Sequence, residues 1–195
     1  AQQIKFDEAE QIFSRYMPYA VVFGVAQQWA DKFAEVARAA EARHPDIVRV
    51  VIDHHEVKNK PRGMNTALPY CRGTVVGVFD AEDEVHPDLL RLVDQRFTDT
   101  GADVVQGGVQ LMNIHSSWWS LRNCLEYYFW FRSRLHFHAG ARFIPLGGNT
   151  VFVTREALLR NDGWDAECLA EDCELGVRLS SQGAKVVVAY SPEYV

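Results

Sequence analysis

Asp80-Ala81-Glu82-Asp83-Glu84 sets four carboxylates within five residues, directly after the apolar run Thr74-Val75-Val76-Gly77-Val78-Phe79. Such a run reads as a strand buried on both faces, so the acids begin where a strand ends. In open α/β sheets, ligands bind beyond the carboxyl ends of the strands. Carboxylates gathered there repel: two like charges about 4 Å apart cost roughly 4 kcal/mol at an effective dielectric near 20. A cation relieves that repulsion, and oxygen-only ligands suit Mg²⁺ or Mn²⁺, which in turn hold substrate phosphates. The competing reading is a solvated loop whose acids favour the start of the next helix.

Three other segments could share that chemistry. Lys60-Pro61-Arg62-Gly63-Met64-Asn65 lies upstream of the acids. Cations beside a glycine turn can hold the phosphates that a metal also binds; alone, such a segment is more often a basic surface loop, and its place next to the acidic strand end favours the phosphate reading. Leu169-Ala170-Glu171-Asp172 opens a helical pattern. Its acids can serve as partners of the helix dipole, or one can act as a general base beside a substrate hydroxyl. Gly163-Trp164-Asp165, just before it, offers either an aromatic face for a sugar ring or an ordinary core tryptophan.

The elements that must position these groups alternate. Residues up to about 45 have helical spacing (Phe13, Met17, Val21, then Trp29, Phe33, Val36), broken near Pro18. Ile47–Ile52 is β-branched and predicts a buried strand, followed by a polar loop from Asp53 to Gly63 and a short helical turn over Asn65–Tyr70. Strands are expected at Thr74–Phe79, from Asp103 to Gln106, within Ile144–Val153 and at Val186–Tyr190. Helices are expected after Pro87, ending at Gly101; over Ser116–His138; after Thr154, ending at Gly163; and over Ala170–Gln182, closed by Gly183. Ser116–His138 is aromatic on almost every side, which predicts a helix that is buried or lies against something apolar. Strands alternating with helices from residue 46 onward indicate an α/β layered sheet. The composition changes near residue 45, giving a helical segment 1–45 and a core 46–195.

Composition narrows the classes. The chain has 195 residues, 20 Lys and Arg against 26 Asp and Glu, and a net charge of -6. That balance lacks the basic footprint of a nucleic-acid binder. At 48% apolar residues the chain can build a real core. No apolar run approaches the roughly 20 residues that span a bilayer. Cys71, Cys124, Cys168 and Cys173 have no CxxC or zinc-finger spacing, so reduced thiols in a cytoplasmic setting are expected. The stretch Ala20–Ala26 lacks the basic flank of a signal peptide, so no leader is expected there.

In chain order, the motif string resembles the inverting family 2 glycosyltransferases, particularly their cellulose-synthase-like branch. The matching pieces are Lys60–Asn65, Phe79-Asp80-Ala81-Glu82-Asp83, Gln106–Asn113, Leu146-Gly147-Gly148-Asn149-Thr150, Gly163-Trp164-Asp165 and Ala170–Leu179. The resemblance implies a GT-A-like, Rossmann-like mixed sheet with flanking helices, incomplete in its N-terminal half. It implies a nucleotide-diphosphate sugar donor, UDP-sugar by analogy, and a glycan or lipid acceptor. By the same analogy, Asp80 with Glu82 or Asp83 holds Mg²⁺ or Mn²⁺, and Lys60, Asn65 and Asp80 form the donor pocket. Asp172 is implied as the base, with Gln106, Trp164 and Glu171 toward the acceptor.

The chain departs from the family pattern in three places. Glu82 stands where many members have aspartate, and no Gln-x-x-Arg-Trp motif occurs before Val195. Nothing before Ile47 matches the family's opening Pro-x-x-Asn-Glu loop or Asp-Asp-x-Ser turn. Residues from about 8 to 37 instead resemble a bacterial membrane-protein family of unknown function. In the parent enzyme the core would sit at the inner face of the plasma membrane, touching it or its transmembrane helices through Trp118–Phe137. A non-catalytic scaffold, or a metal-dependent phosphohydrolase or nucleotidyltransferase using the same acids, are the alternative readings.

Overall fold

The structure, a computed structural model, describes residues 26–80 and 83–189. The chain divides into two compact units, Ala1–Ile52 and Asp53–Val195. The predicted helices before residue 26 and the metal candidate Glu82 lie outside the described residues.

In the first unit, α1 spans Ala26–Arg43. It ends in a turn where the backbone N–H groups of Ile47 and Val48 donate to the His44 carbonyl. The run Ile47–Ile52 is not a strand: it pairs with no sheet, and Ile47 is 87% exposed. One of its amides, from Val50, donates to Glu41 Oε1. A β-branched run becomes a strand only where another strand pairs with its backbone groups, and none among the described residues pairs with this run.

The second unit carries a four-stranded mixed sheet, in order β1, β3, β2, β4, over β1 (Val75–Val78), β2 (Val104–Gln106), β3 (Val151–Thr154) and β4 (Val186–Val188). β3 runs antiparallel to both β1 and β2, and β2 runs parallel to β4. The register sets Val78 and Gln106 both opposite Val151. The carboxyl ends of β1, β2 and β4 therefore meet the start of β3 at one edge, which the acidic segment leaves on one side and the Gly147-Gly148 loop enters on the other.

The helices are α2 (Lys60–Ala67, continued by a 3₁₀ turn Leu68–Tyr70), α3 (Leu89–Thr100), α4 (Trp118–Phe129), α5 (Leu135–Gly140), α6 (Arg155–Arg160) and α7 (Glu171–Ser181). A π-helical turn over Trp130–Arg134 joins α4 to α5. α2 begins five residues before the expected turn at Asn65. Asn59 caps it by accepting from the Arg62 N–H, and Pro61 suits the first turn, so the basic segment is helix rather than loop. Gly101, in the left-handed region at φ 60°, ends α3 as expected. Among the described residues, no helix is long and apolar enough to cross a membrane.

One core gathers Val104, Val151 and Val153 of the sheet with Leu135, Ile144, Leu146, Leu158, Trp164, Leu175 and Leu179. Val105 and Phe152 join Val93 of α3 and Ala102 on the other side. α7 approaches the segment before β3 closely, because Gly176 has no side chain. A methyl group there would lie 2.3 Å from the Ile144 carbonyl oxygen and 2.7 Å from the Leu146 nitrogen. Gly63 on α2, by contrast, would place a methyl group with nothing within 4 Å.

These two glycines make a matched test in urea denaturation. Gly176→Ala is expected to destabilise the fold by about 1–3 kcal/mol through forced displacement of backbone. Gly63→Ala is expected to stabilise it by roughly 0.4–1 kcal/mol through the unfolded state. Equal effects of the two would contradict the packing described.

Candidate active site

Lys60 opens α2 and reaches to the edge where β1 ends. Its Nζ donates to Asp80 Oδ1 at 2.5 Å and to the Gly148 carbonyl at 2.7 Å. Both side chains are about a third exposed, so the pair faces solvent rather than being sealed in the core. Asp172, second residue of α7, also stands at Gly148. A methyl group placed on Gly148 would sit 3.2 Å from Asp172 Oδ2 and 3.8 Å from Lys60 Nζ. Lys60, Asp80 and Asp172, separated by up to 112 positions in the sequence, thus converge on one glycine. Asp172 Oδ1 accepts from the Cys173 N–H at 2.7 Å, which orients the carboxylate with Oδ2 toward Gly148.

Asp83 stands just behind. Its Oδ2 accepts from the Asp80 N–H at 2.8 Å and its Oδ1 from Asn149 Nδ2 at 3.0 Å. Asp83 therefore ties the acidic turn to the glycine loop. Among the described residues, no group of three His, Cys, Asp or Glu side chains is gathered as a metal cage. The donor set still suits a hard cation. Mg²⁺ commonly takes one or two carboxylates and completes its shell with water and substrate phosphates. Asp80, about a third exposed beside Lys60, is the carboxylate that would take that role.

Several implied contact residues prove to be parts of the wall. Gln106 is fully buried: its Oε1 accepts from the Gly147 N–H at 2.8 Å, and its Nε2 donates to the Gly107 and Asn149 carbonyls at 3.0 and 3.1 Å. Its amide is spent on holding the glycine loop. Asn65 Nδ2 donates to the Trp164 carbonyl at 2.7 Å, while its Oδ1 accepts from the Trp164 N–H at 2.9 Å. Trp164 itself packs in the main core, and Glu171 is buried at the start of α7. Gln106, Trp164 and Glu171 are thus buried, while Asn65 is half-buried with its amide committed to Trp164.

Sequence reasoning missed the ties that hold α2 and α7 in place. Gly163 adopts φ +73°, and a methyl group on it would lie 2.3 Å from Asn65 Oδ1, so the turn both requires glycine and makes room for the Asn65 lock. Asn59 Nδ2 donates to the Ala166 carbonyl at 2.8 Å, and Arg62 pairs with Glu167. On α7, Arg178 forks onto Glu174, with Nε to Oε1 at 2.7 Å and Nη2 to Oε2 at 2.9 Å. It also donates to the Asn161 and Gly163 carbonyls at 2.5 and 3.0 Å. Hydrogen bonding to Glu174 raises the Arg178 pKa further above its usual value against the opposing effect of burial. The i,i+4 spacing of Glu174 and Arg178 was a legible sign of that pair; its reach to the 161–163 turn was not.

Two titrating groups bear on the site. Burial first, then the charge on Asp172 and then Cys168, push the Cys173 thiol up, which disfavours its thiolate. Asp53, ahead of α2, accepts from the His55 ring and N–H and faces the Thr66 hydroxyl at 3.4 Å. The His55 side-chain hydrogen bond, followed by its backbone N–H, lowers Asp53 from 3.8 to about 2.

Comparison with known proteins gives this geometry a family. The model described as "Glycosyltransferase like family 2" matches residues 9–194. The chain therefore belongs to the family 2 glycosyltransferases. The match begins inside the stretch 8–37 that the sequence alone set apart. The chain is 30% identical over 137 residues to a beta-monoglucosyldiacylglycerol synthase of Synechocystis sp., covering 68% of this chain and 28% of the relative. A synthase of the same description from Nostoc sp. is 30% identical over 122 residues, 62% of this chain and 26% of the relative. The chain thus matches about a quarter of the length of these relatives. A solved structure, the mannosyltransferase PcManGT from Pyrobaculum calidifontis in complex with GDP-Man and Mn²⁺, has a similar fold. Its TM-score is 0.57 at 19% identity, over 85% of this chain and 44% of that one. The fold is GT-A, as the motif string implied.

The Asp53 contact predicts an acid limb in stability. Its pKa is lower folded than unfolded, so the unfolded chain binds the proton more readily as pH falls. The stabilisation is present above about pH 4 and is lost between about pH 4 and 2. Asp53→Asn is expected to flatten that limb in denaturation curves at stepped pH; an unchanged slope would remove Asp53 as its source.

Proposed function

We propose that the cleft around Gly148 transfers a sugar, with inversion, from a nucleotide-diphosphate sugar to the hydroxyl of a lipid or glycan acceptor. The single observation that carries this reading is the convergence of Lys60, Asp80 and Asp172 on Gly148. It brings an ammonium, a carboxylate suited to a divalent ion and a candidate base to one glycine. Family membership, the lipid-sugar synthases among the relatives and the nucleotide sugar and metal in the structural neighbour's title all support it. UDP is the proposed nucleotide, and the inner face of the plasma membrane the proposed location.

In this reading Asp80, with Glu82 and Asp83 nearby in sequence, would hold Mg²⁺ or Mn²⁺, which supplies charge neutralisation on the donor diphosphate. Lys60 adds a second positive charge at the same place without leaving Asp80. Asp172 accepts the acceptor hydroxyl's proton on Oδ2 as that oxygen bonds to the anomeric carbon. The bond from the anomeric carbon to the diphosphate oxygen breaks, and its electron pair leaves with the nucleotide. Asn65, Gln106, Trp164 and Glu171 act by fixing the walls: the first and third lock α2 to the 163–165 turn, the second holds the glycine loop, and the fourth starts α7.

Two substitutions separate the roles. Asp80→Asn is expected to abolish Mn²⁺-dependent binding of UDP in calorimetry, because a neutral amide replaces the ligand carboxylate. Asp172→Asn is expected to spare that binding and lower sugar transfer by roughly 10²- to 10⁴-fold. The proposal fails if wild-type protein gives no heat with millimolar UDP and Mn²⁺, or if nucleotide is hydrolysed at the same rate with and without acceptor.

A further inference from the structure

The loop 147–150, which carries Gly148 into β3, is bonded to another segment at every residue. The Gly147 N–H donates to Gln106 Oε1 at 2.8 Å, and the Gly148 carbonyl accepts from Lys60 Nζ at 2.7 Å. The Asn149 carbonyl accepts from Gln106 Nε2 at 3.1 Å, while its own Nδ2 donates to Asp83 Oδ1 at 3.0 Å. The Thr150 N–H donates to the Val78 carbonyl, and the Thr150 carbonyl accepts from the Gly107 N–H, both at 2.8 Å.

Thr150 is held there against its own preference. Its φ is +51°, in the left-handed region where a β-branched side chain crowds the backbone. Arg142 and Asp162, the other non-glycine residues with positive φ among the described residues, lie on exposed turns, whereas Thr150 is buried. Such a conformation persists where the surroundings over-determine it. Gly107 makes the space for it: a methyl group there would lie 2.5 Å from Thr150 Cγ2. The tie from this strained loop to the acidic turn is the side-chain bond from Asn149 to Asp83, whose Oδ2 accepts from the Asp80 N–H at 2.8 Å. One carboxylate thus spans the backbone of Asp80 and the loop whose Gly148 meets Asp172.

We infer that Asp83 and Asn149 are positioning residues that set the span between Asp80 and Asp172 by latching the acidic turn to the glycine loop. The inference rests on the sugar-transfer reading and narrows it: Asp83 acts through the Asp80 backbone and through Asn149. Without the latch, the strain at Thr150 relaxes by shifting the loop, and Gly148 moves with it relative to Asp172. Lys60 and Asp80 keep their own contact, which uses neither Asp83 nor Asn149. Loss of the latch therefore separates two events. Nucleotide and metal are still held, while the acceptor hydroxyl, the anomeric carbon and Asp172 lose their alignment. Misplacing reacting groups by about 1 Å can cost roughly 10²-fold in rate.

Asn149→Leu and an exchange of the two side chains test this in the 195-residue chain. In Asn149→Leu, kcat for sugar transfer is expected to fall by roughly 10- to 10²-fold, with calorimetric binding of UDP and Mn²⁺ within about twofold of wild type. Asn149→Asp sets two carboxylates against each other and is expected to lower both kcat and the urea midpoint. Adding Asp83→Asn restores both, because the new amide donates to the new carboxylate while its oxygen still accepts from the Asp80 N–H. The urea midpoints report the hydrogen bond whether or not sugar is transferred. A double variant as low as Asn149→Asp in midpoint and kcat overturns the inference. So does Asn149→Leu with unchanged kcat, or with binding and transfer lost in equal measure, which would make the bond merely structural. Wild-type protein without UDP heat or transfer brings down the sugar-transfer reading itself, and a restored midpoint then marks a structural bond with no part in positioning.

Discussion

Lys60 places one ammonium between the carboxylate of Asp80 and the carbonyl of Gly148, and through that contact three remote segments share an address. The carboxylate comes from the end of β1, the carbonyl from the loop entering β3 and the cation from the first residue of α2. Surface ion pairs alone stabilise little, so this pair matters less for holding the fold than for fixing where charge sits in the cleft.

What lets Lys60 arrive there is a set of locks remote from the chemistry. α2 is pinned at Asn59, Arg62 and Asn65 to the 163–167 turn, and Arg178 pins that turn to α7. α2 and α7, which deliver Lys60 and Asp172, are thus joined through a common turn. Gly163, Gly176 and Gly148 are the close approaches that make this possible; each lies where an added methyl group meets another segment.

The aromatic helix shows the opposite use of apolar side chains. A residue such as Leu135 stabilises the fold by leaving water on folding, whereas Trp118 and Phe129 remain in water in the folded chain. Their hydrophobic free energy is unspent, and only a further surface can release it. The π-helical turn at Trp130–Arg134 lies between the two behaviours, where the helix passes from an exposed to a buried register.

The motif order, the acids at the end of β1 and most element positions were legible in the sequence, because hydrophobic period, glycine and proline punctuation and helix-start acids are local signals. The family resemblance implied a base at Asp172, while its distance from Gly148 came only from folding. The strand expected at Ile47–Ile52 did not form, since pairing depends on a partner edge and not on the run itself. Gln106, Asn65 and Trp164 bear motif residues whose types suggest contact with substrate. Tertiary structure decided instead that their polar groups answer to backbone, because a buried amide must find its partners inside the protein. The sequence by itself determined which groups exist and in what order; the antiparallel entry of β3 beside the end of β1 decided which of them meet.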